Sequence, residues 1–155
     1  MGHHYTPVGL DPDTLCAGIG LGTGDGEPLV TPIVQSTTFY RDTVGSTAPH
    51  QYSRVSNPTV ASLERSLGAL ENAPPAVAFT TGLAAETALF LSLLKSGDHV
   101  VCGRAVYGGT IRLLQQLLPD LGISTTFVDA TDLNQVRLAT RPNTRLAFIE
   151  TPANP

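Results

Sequence analysis

Four short stretches carry side chains suited to holding a small, charged, planar ligand. In Gln51-Tyr52-Ser53-Arg54-Val55-Ser56-Asn57-Pro58-Thr59 a phenol and a guanidinium stand two residues apart, just ahead of a helix start. Residues i and i+2 of an extended segment point the same way, so Tyr52 and Arg54 are placed to grip one phosphate, the guanidinium through paired donors. A surface arginine beside a tyrosine that caps the segment is the competing reading. Thr80-Thr81-Gly82-Leu83-Ala84-Ala85 joins an apolar run to a long apolar helix. Backbone N–H groups and the positive end of the dipole meet at a helix start; Gly82 permits close approach, and Thr81 adds a hydroxyl. That stretch is equally a plain capped turn. Ala105-Val106-Tyr107-Gly108-Gly109-Thr110 puts a tyrosine able to stack on a flat ring beside two small residues, or it is an ordinary helix-start loop. Glu150 and Asn154 follow a further strand, where either could bond a ligand or brace the loop. In open α/β sheets ligands sit outside the carboxyl ends of strands, which is where these groups belong.

The elements that must position them alternate. Residues 1 to about 56 are rich in Gly, Pro, Thr and Ser without sustained period, and are expected to form an extended arm that packs on another subunit. The alternating glycines Gly18, Gly20, Gly22, Gly24 and Gly26 do not fit the G-x-G-x-x-G dinucleotide pattern, since Thr23 and Asp25 stand where the third glycine would fall and no strand precedes them. Asn57 and Pro58 are helix-start residues, and Val60, Leu63, Leu67 and Leu70 follow at helical spacing, predicting a helix over 58–71. A buried strand is expected at 76–80, a helix at 83–95 closed by Gly97, a strand at 99–102, a helix at 108–118 ended by Pro119, a strand at 124–128, a short helix near 132–139 and a strand at 146–150. This order argues for a mostly parallel sheet with helices on its faces, an α/β domain over 57–155. A chain that stops directly after a strand leaves a sheet edge and an apolar face open, so the sequence is expected to be the first part of a larger domain.

Composition narrows the function classes. A net charge of −4 and nine scattered Lys and Arg residues argue against nucleic-acid binding. No apolar run approaches a bilayer span, and no secretory leader is evident, which points to the cytoplasm. Cys16 and Cys102 lack metal-like spacing and read as buried or incidental thiols in a reducing compartment. The single lysine is Lys95, at the expected end of a helix.

Taken together, QYSRVSNPT, TTGLAAETALFLSLLKSGDHVV, VYGGT and FIETPANP resemble the Cys/Met-metabolism family of pyridoxal-phosphate enzymes. Its members include cystathionine γ-synthase, cystathionine lyases, methionine γ-lyase and homoserine-ester sulfhydrylases. The resemblance runs from about Thr31 to Pro155, and TPIVQSTTF is similar to the family's N-terminal arm. It implies the first part of an aspartate-aminotransferase-like (fold type I) architecture, with pyridoxal 5'-phosphate as cofactor and a small amino-acid substrate. By it, Tyr52 and Arg54 bind the cofactor phosphate of a neighbouring subunit, in at least a dimer and by expectation a tetramer. Gly82 and Leu83 give the phosphate backbone N–H groups with help from Thr81, where relatives usually have Ser-Gly-Met. Tyr107 stacks on the pyridine ring and assists proton transfer, and Asn154 bonds the ring's phenolic oxygen. The cofactor-bearing lysine and the aspartate that pairs with the ring nitrogen are implied to lie beyond Pro155, since Lys95 matches a surface position. Methionine γ-lyases typically have cysteine where this chain has Gly109, which leaves γ-replacement or γ-elimination on a homoserine-ester or cystathionine-like substrate. Two other readings compete: a non-catalytic fragment that only dimerises or binds phosphate, and an unrelated α/β nucleotide-binding module using Thr80-Thr81-Gly82 as its phosphate loop.

Overall fold

The computed structural model describes residues 11–18 and 25–153, which fall into two compact units, Met1–Ala78 and Phe79–Pro155. In the first unit, α1 (Pro12–Gly18) stands where the sequence predicts only an extended arm; Asp11 Oδ1 accepts from the N–H of Asp13 at 2.9 Å and starts it. The region 25–56 is irregular, as its composition suggests, while the glycine run from Gly20 to Gly24 lies outside the described residues. α2 (Pro58–Leu70) begins as expected: Pro58 sets the first helical φ, and Asn57 Oδ1 accepts from the N–H of Thr59 at 2.9 Å. Residues 31–34 are fastened to this helix. Thr31 and Ser62 hydroxyls meet at 3.0 Å, Thr59 Oγ1 accepts from the N–H of Val34 at 2.9 Å and donates to the Pro32 carbonyl at 3.0 Å, and Asn57 Nδ2 donates to the Val34 carbonyl at 3.0 Å. The unit containing α2 therefore ends at Ala78, whereas the sequence reading begins the α/β domain at residue 57.

Residues 76–80 are not the predicted strand. The N–H groups of Ala76 and Ala78 donate to the Glu64 carbonyl and to Glu64 Oε1, both at 2.9 Å, so α2 takes the bonds a sheet neighbour would need. Val77 and Phe79 are exposed. The fold-back toward α2 is close enough to require Gly68: a Cβ there would overlap the Pro74 carbonyl oxygen and sit 2.8 Å from Pro74 C.

The second unit is a three-stranded, wholly parallel sheet in the order β2-β1-β3, formed by β1 (His99–Gly103), β2 (Ser124–Val128) and β3 (Thr144–Phe148). β2 coincides with its prediction, whereas β3 begins and ends two residues earlier than expected. Cys102 pairs with Phe148 near the end of β1, which leaves Ile149 and Glu150 to turn away as the loop that follows. β1 is buried along its whole length, the pattern of a central parallel strand. α3 (Gly82–Leu93) precedes it and stops before Gly97. That glycine, at φ +91°, shapes the turn into β1 and is not the helix cap, its N–H donating to the Gly122 carbonyl at 2.8 Å.

Between β1 and β2 the chain forms α4 (Gly108–Arg112), which continues as a π-helical stretch Leu113–Leu117 and a 3-10 turn Pro119–Leu121. Within it the Leu118 N–H reaches the Leu113 carbonyl at 3.0 Å, where the sequence predicts an unbroken α-helix. Between β2 and β3 lies α5 (Leu133–Ala139), capped by Asp132. One core face gathers Phe90, Leu94, Val100, Cys102, Leu113, Leu114, Leu118 and Ile123; the other gathers Val101, Val128, Val136 and Ala139. Each fully buried large side chain in such a core contributes about 1.5–3 kcal/mol. Alternate residues of β1 thus serve opposite faces, with α3 and α4 on one and α5 on the other. This follows from right-handed crossovers that run first to one side of β1 and then back across it. At the amino end His99 is solvent-excluded and bonds Thr126 Oγ1 at 2.9 Å and Thr144 Oγ1 at 2.8 Å, linking all three strands. No helix among the described residues is long and apolar enough to cross a membrane.

Candidate functional site

The order in which strands are added reverses at β1, so the loops leaving β1 and β2 part toward opposite faces and a hollow opens at the carboxyl ends of the strands. Its volume is about 510 Å³, and it is lined by Gly103, Arg104 and Ala105 after β1, Asp129 to Thr131 after β2, and Ile149 to Thr151 after β3. Asp129 is committed to this loop: its carboxylate accepts from the Thr131 hydroxyl at 2.7 Å and the Thr131 N–H at 2.9 Å, bonds that hold its pKa below the ordinary value.

Tyr107 stands on the β1 loop immediately before α4, half exposed, and makes no side-chain cap for that helix. Its peptide N–H donates to Glu150 Oε2 at 2.7 Å, across 43 residues of sequence. Its ring rests against Gly109, where an added Cβ would overlap Cε1 and sit 2.9 Å from Cδ1. The same addition at Gly108 would meet nothing within 4 Å. Three residues on, the solvent-excluded Thr110 donates its hydroxyl to Glu86 Oε2 at 2.6 Å. Glu86 lies one turn from Gly82 on α3, and Leu83 shares a shallow hollow with Gly109, so the α3 start and the Tyr107 loop are neighbours. The sequence reading missed Glu86; its i+4 spacing from Gly82 is the signal that could have found it. Cys102 is buried beneath this loop, and its thiol is pushed up to about 11, first by burial and then by the charges of Glu86 and Glu150.

The start of α3 has the form expected for an anion site. Thr81 is extended, its Oγ1 accepts from the Ala84 N–H at 3.1 Å, and its carbonyl accepts from Ala85 at 3.1 Å. Thr81 keeps its hydroxyl proton to donate outward, and the Gly82 and Leu83 N–H groups have no partner among the described residues. A Cβ on Gly82 would meet nothing within 4 Å, so the approach is open. Lys95 follows the far end of this 12-residue helix, on the order of 18 Å from Gly82 at 1.5 Å per residue. It stands at the amino end of β1, away from the rim.

In the first unit, Tyr52 and Arg54 do come together, though not through extended backbone. The N–H groups of Val55 and Ser56 both return to the Tyr52 carbonyl, at 2.9 and 3.1 Å, making a turn. Arg54 Nη2 donates to Tyr52 Oη at 3.3 Å, and the guanidinium carbon sits 5.1 Å from the ring centroid, within cation–π range. Both side chains are exposed. Asn154, the remaining expected ligand-binding residue, lies outside the described residues.

The second unit is thus a parallel α/β arrangement with an open helix start, a glycine-backed tyrosine and polar loops at its carboxyl rim. Comparison with known proteins specifies the family. Residues 14–155 match the Cys/Met metabolism PLP-dependent enzyme family, and the chain belongs to it. It is 47% identical over 127 residues to a probable cystathionine gamma-synthase of Herpetosiphon aurantiacus, an alignment covering 82% of this chain and 40% of that protein. It is 43% identical over 135 residues to a cystathionine gamma-lyase of Bacillus subtilis, covering 86% of this chain and 35% of that one. Among solved structures, metB from Corynebacterium glutamicum superposes with a TM-score of 0.85 at 38% identity, over 94% of this chain and 40% of that chain. The chain thus spans well under half the length of these relatives, and its parallel sheet with flanking helices corresponds to part of their fold.

Proposed function

We propose that this chain works as the N-terminal part of a pyridoxal-5'-phosphate-dependent enzyme of sulfur amino-acid metabolism, carrying out γ-replacement or γ-elimination on a homoserine-ester or cystathionine-like amino acid in the cytoplasm. The observation that carries the reading is the juxtaposition at one rim of an open α3 start and a tyrosine whose peptide N–H is held by Glu150 and whose ring is backed by Gly109. These residues fit the cofactor: an anion needs free N–H donors and a close approach, and a flat ring needs an aromatic partner with space beside it. Thr81, Gly82 and Leu83 would hold the phosphate, Tyr107 would stack on the ring and Asn154 would bond its phenolic oxygen. When bound, the cofactor supplies an electron sink for the carbanion left by loss of a substrate Cα proton. Within this chain, the Thr81 hydroxyl and two peptide N–H groups orient the phosphate, and the Tyr107 phenol, half exposed at the rim, is sited to hold or pass a proton at its Oη. Lys95, the one lysine of these 155 residues, stands away from the rim, so these residues alone are expected to show no turnover. Tyr52 and Arg54 act on a neighbouring protomer's phosphate, which makes the working unit at least a dimer and by expectation a tetramer.

Mixing two inactive variants of the full-length enzyme tests the shared site. In a dimer of Arg54→Ala with Tyr107→Ala, one of two sites receives both native residues if Arg54 acts across the interface. Random reassociation should then restore about a quarter of wild-type activity, because half the dimers are mixed and each has one intact site. No recovery on mixing would place Arg54 and Tyr107 in one protomer's site and refute the arrangement.

A further inference from the structure

We propose that Glu150 is the positioning residue for Tyr107: its carboxylate clasps the Tyr107 peptide N–H and thereby fixes where the aromatic ring stands at the rim. This rests on the reading of Tyr107 as the ring-stacking residue and adds to it the group that holds it in place. The bond is short, 2.7 Å, and charge-assisted, the stronger class of hydrogen bond. It joins the loop after β1 to the loop after β3. Glu150 stands two residues past Phe148, whose pairing with Cys102 ties the approach of its carboxylate to the sheet register. Tyr107 needs such a partner, because N–H groups at a helix start lack intrahelical acceptors and its own side chain caps nothing.

A second carboxylate completes the fastening. Glu86 accepts the Thr110 hydroxyl at 2.6 Å, so the turn is tied once at residue 107 and again at residue 110. Gly109 lies between the two ties with the ring against it. With its backbone pinned and one side backed by glycine, the Tyr107 ring is left few of the rotamers open to a loop tyrosine. Burial of Cys102 below the loop, under the field of both carboxylates, agrees with their converging on this spot.

The test uses Glu150→Ala, Glu150→Gln and Tyr107→Ala in the full-length protein, with pyridoxal 5'-phosphate as the probe. Hydrogen exchange of the Tyr107 amide is followed without cofactor, and visible circular dichroism of the cofactor after reconstitution. Loss of a hydrogen bond to a charged partner should speed Tyr107 exchange by an order of magnitude or more in Glu150→Ala while β1 amides keep their protection. Its cofactor dichroism should move toward that of Tyr107→Ala, and kcat should fall with little change in KM. Glu150→Gln, which keeps an acceptor oxygen, should restore most of the amide protection. Unchanged Tyr107 exchange in Glu150→Ala overturns the proposal. So does deprotection without a change in dichroism when Tyr107→Ala does change it. If Tyr107→Ala itself leaves the dichroism unaltered, the stacking reading has failed and the proposal falls with it, even where the amide is deprotected.

Discussion

Replacing Gly109 by alanine should cripple the enzyme while barely touching its stability. The added Cβ would overlap Tyr107 Cε1 and approach Cδ1 to 2.9 Å and Cζ to 3.2 Å. Carbon atoms ordinarily rest about 3.5–4.0 Å apart, so the near edge of the ring must swing away by roughly 1 Å. The ring is 52% exposed and can move into water, which limits the conformational cost to about 0.5–1.5 kcal/mol. Alanine favours the helical backbone over glycine by up to about 1 kcal/mol, and the two effects nearly cancel. Misplacing a reacting group by 1 Å costs on the order of a hundredfold in rate, so kcat should fall by about that factor. Gly108→Ala, which adds the same atom one residue away in open space, is the control. The measurements are thermal melting and steady-state kinetics of both variants with pyridoxal phosphate bound. Wild-type kcat in Gly109→Ala, or an equal loss in Gly108→Ala, would refute the steric reasoning.

His99 gives a pH dependence. Burial and, secondarily, the Arg141 charge hold its pKa below the ordinary 6.5. The unfolded chain therefore takes up a proton that the folded one refuses, and this contribution to stability is intact above about pH 6.5 and lost as pH falls toward the depressed folded value. Urea midpoints measured down from pH 7 should decline more steeply in the native protein than in His99→Gln. Gly68→Ala should destabilise by about 1–3 kcal/mol or more, since its Cβ meets the Pro74 backbone, which cannot swing aside; a lower melting temperature checks it. Buried Cys102, raised from an ordinary 9.0 to about 11, should have a thiolate fraction about a hundredfold below an unshifted thiol, so iodoacetamide under native conditions should label exposed Cys16 and spare it.

Much of the fold was legible because local chemistry and tertiary need agreed. Asn57 and Pro58 start α2, and the run Ser124 to Val128, with its strand-favouring Thr125, Thr126, Phe127 and Val128, is β2. Where the two diverged, a distant partner decided. The apolar residues 76–80 look like a strand, yet Glu64 captures the N–H groups of Ala76 and Ala78; residues 149–150 look like strand, yet pairing with β1 stops at Phe148. α1 depends on Asp11 beginning a turn within a Gly- and Pro-rich stretch that carries little periodic signal. Of the candidate site, Tyr107, Thr81 and Gly82 stand out as candidates from turn chemistry, while Leu83 enters through the family resemblance. Tyr52 and Arg54 do lie side by side, but through a turn and not through the extended backbone that their i, i+2 spacing suggests. The partnership of Glu150 with Tyr107 spans 43 residues, and no local pattern announces a contact of that range.

The crosspiece of His99, Thr126 and Thr144 has an evolutionary corollary. By bolting the strands together at the end remote from the hollow, it frees the opposite loops from holding the sheet in register. Descendants of such a scaffold can trade residues after β1, β2 and β3 to accept new substrates while the crosspiece carries the structural burden. Diversity should therefore accumulate at one pole of the sheet and constancy at the other.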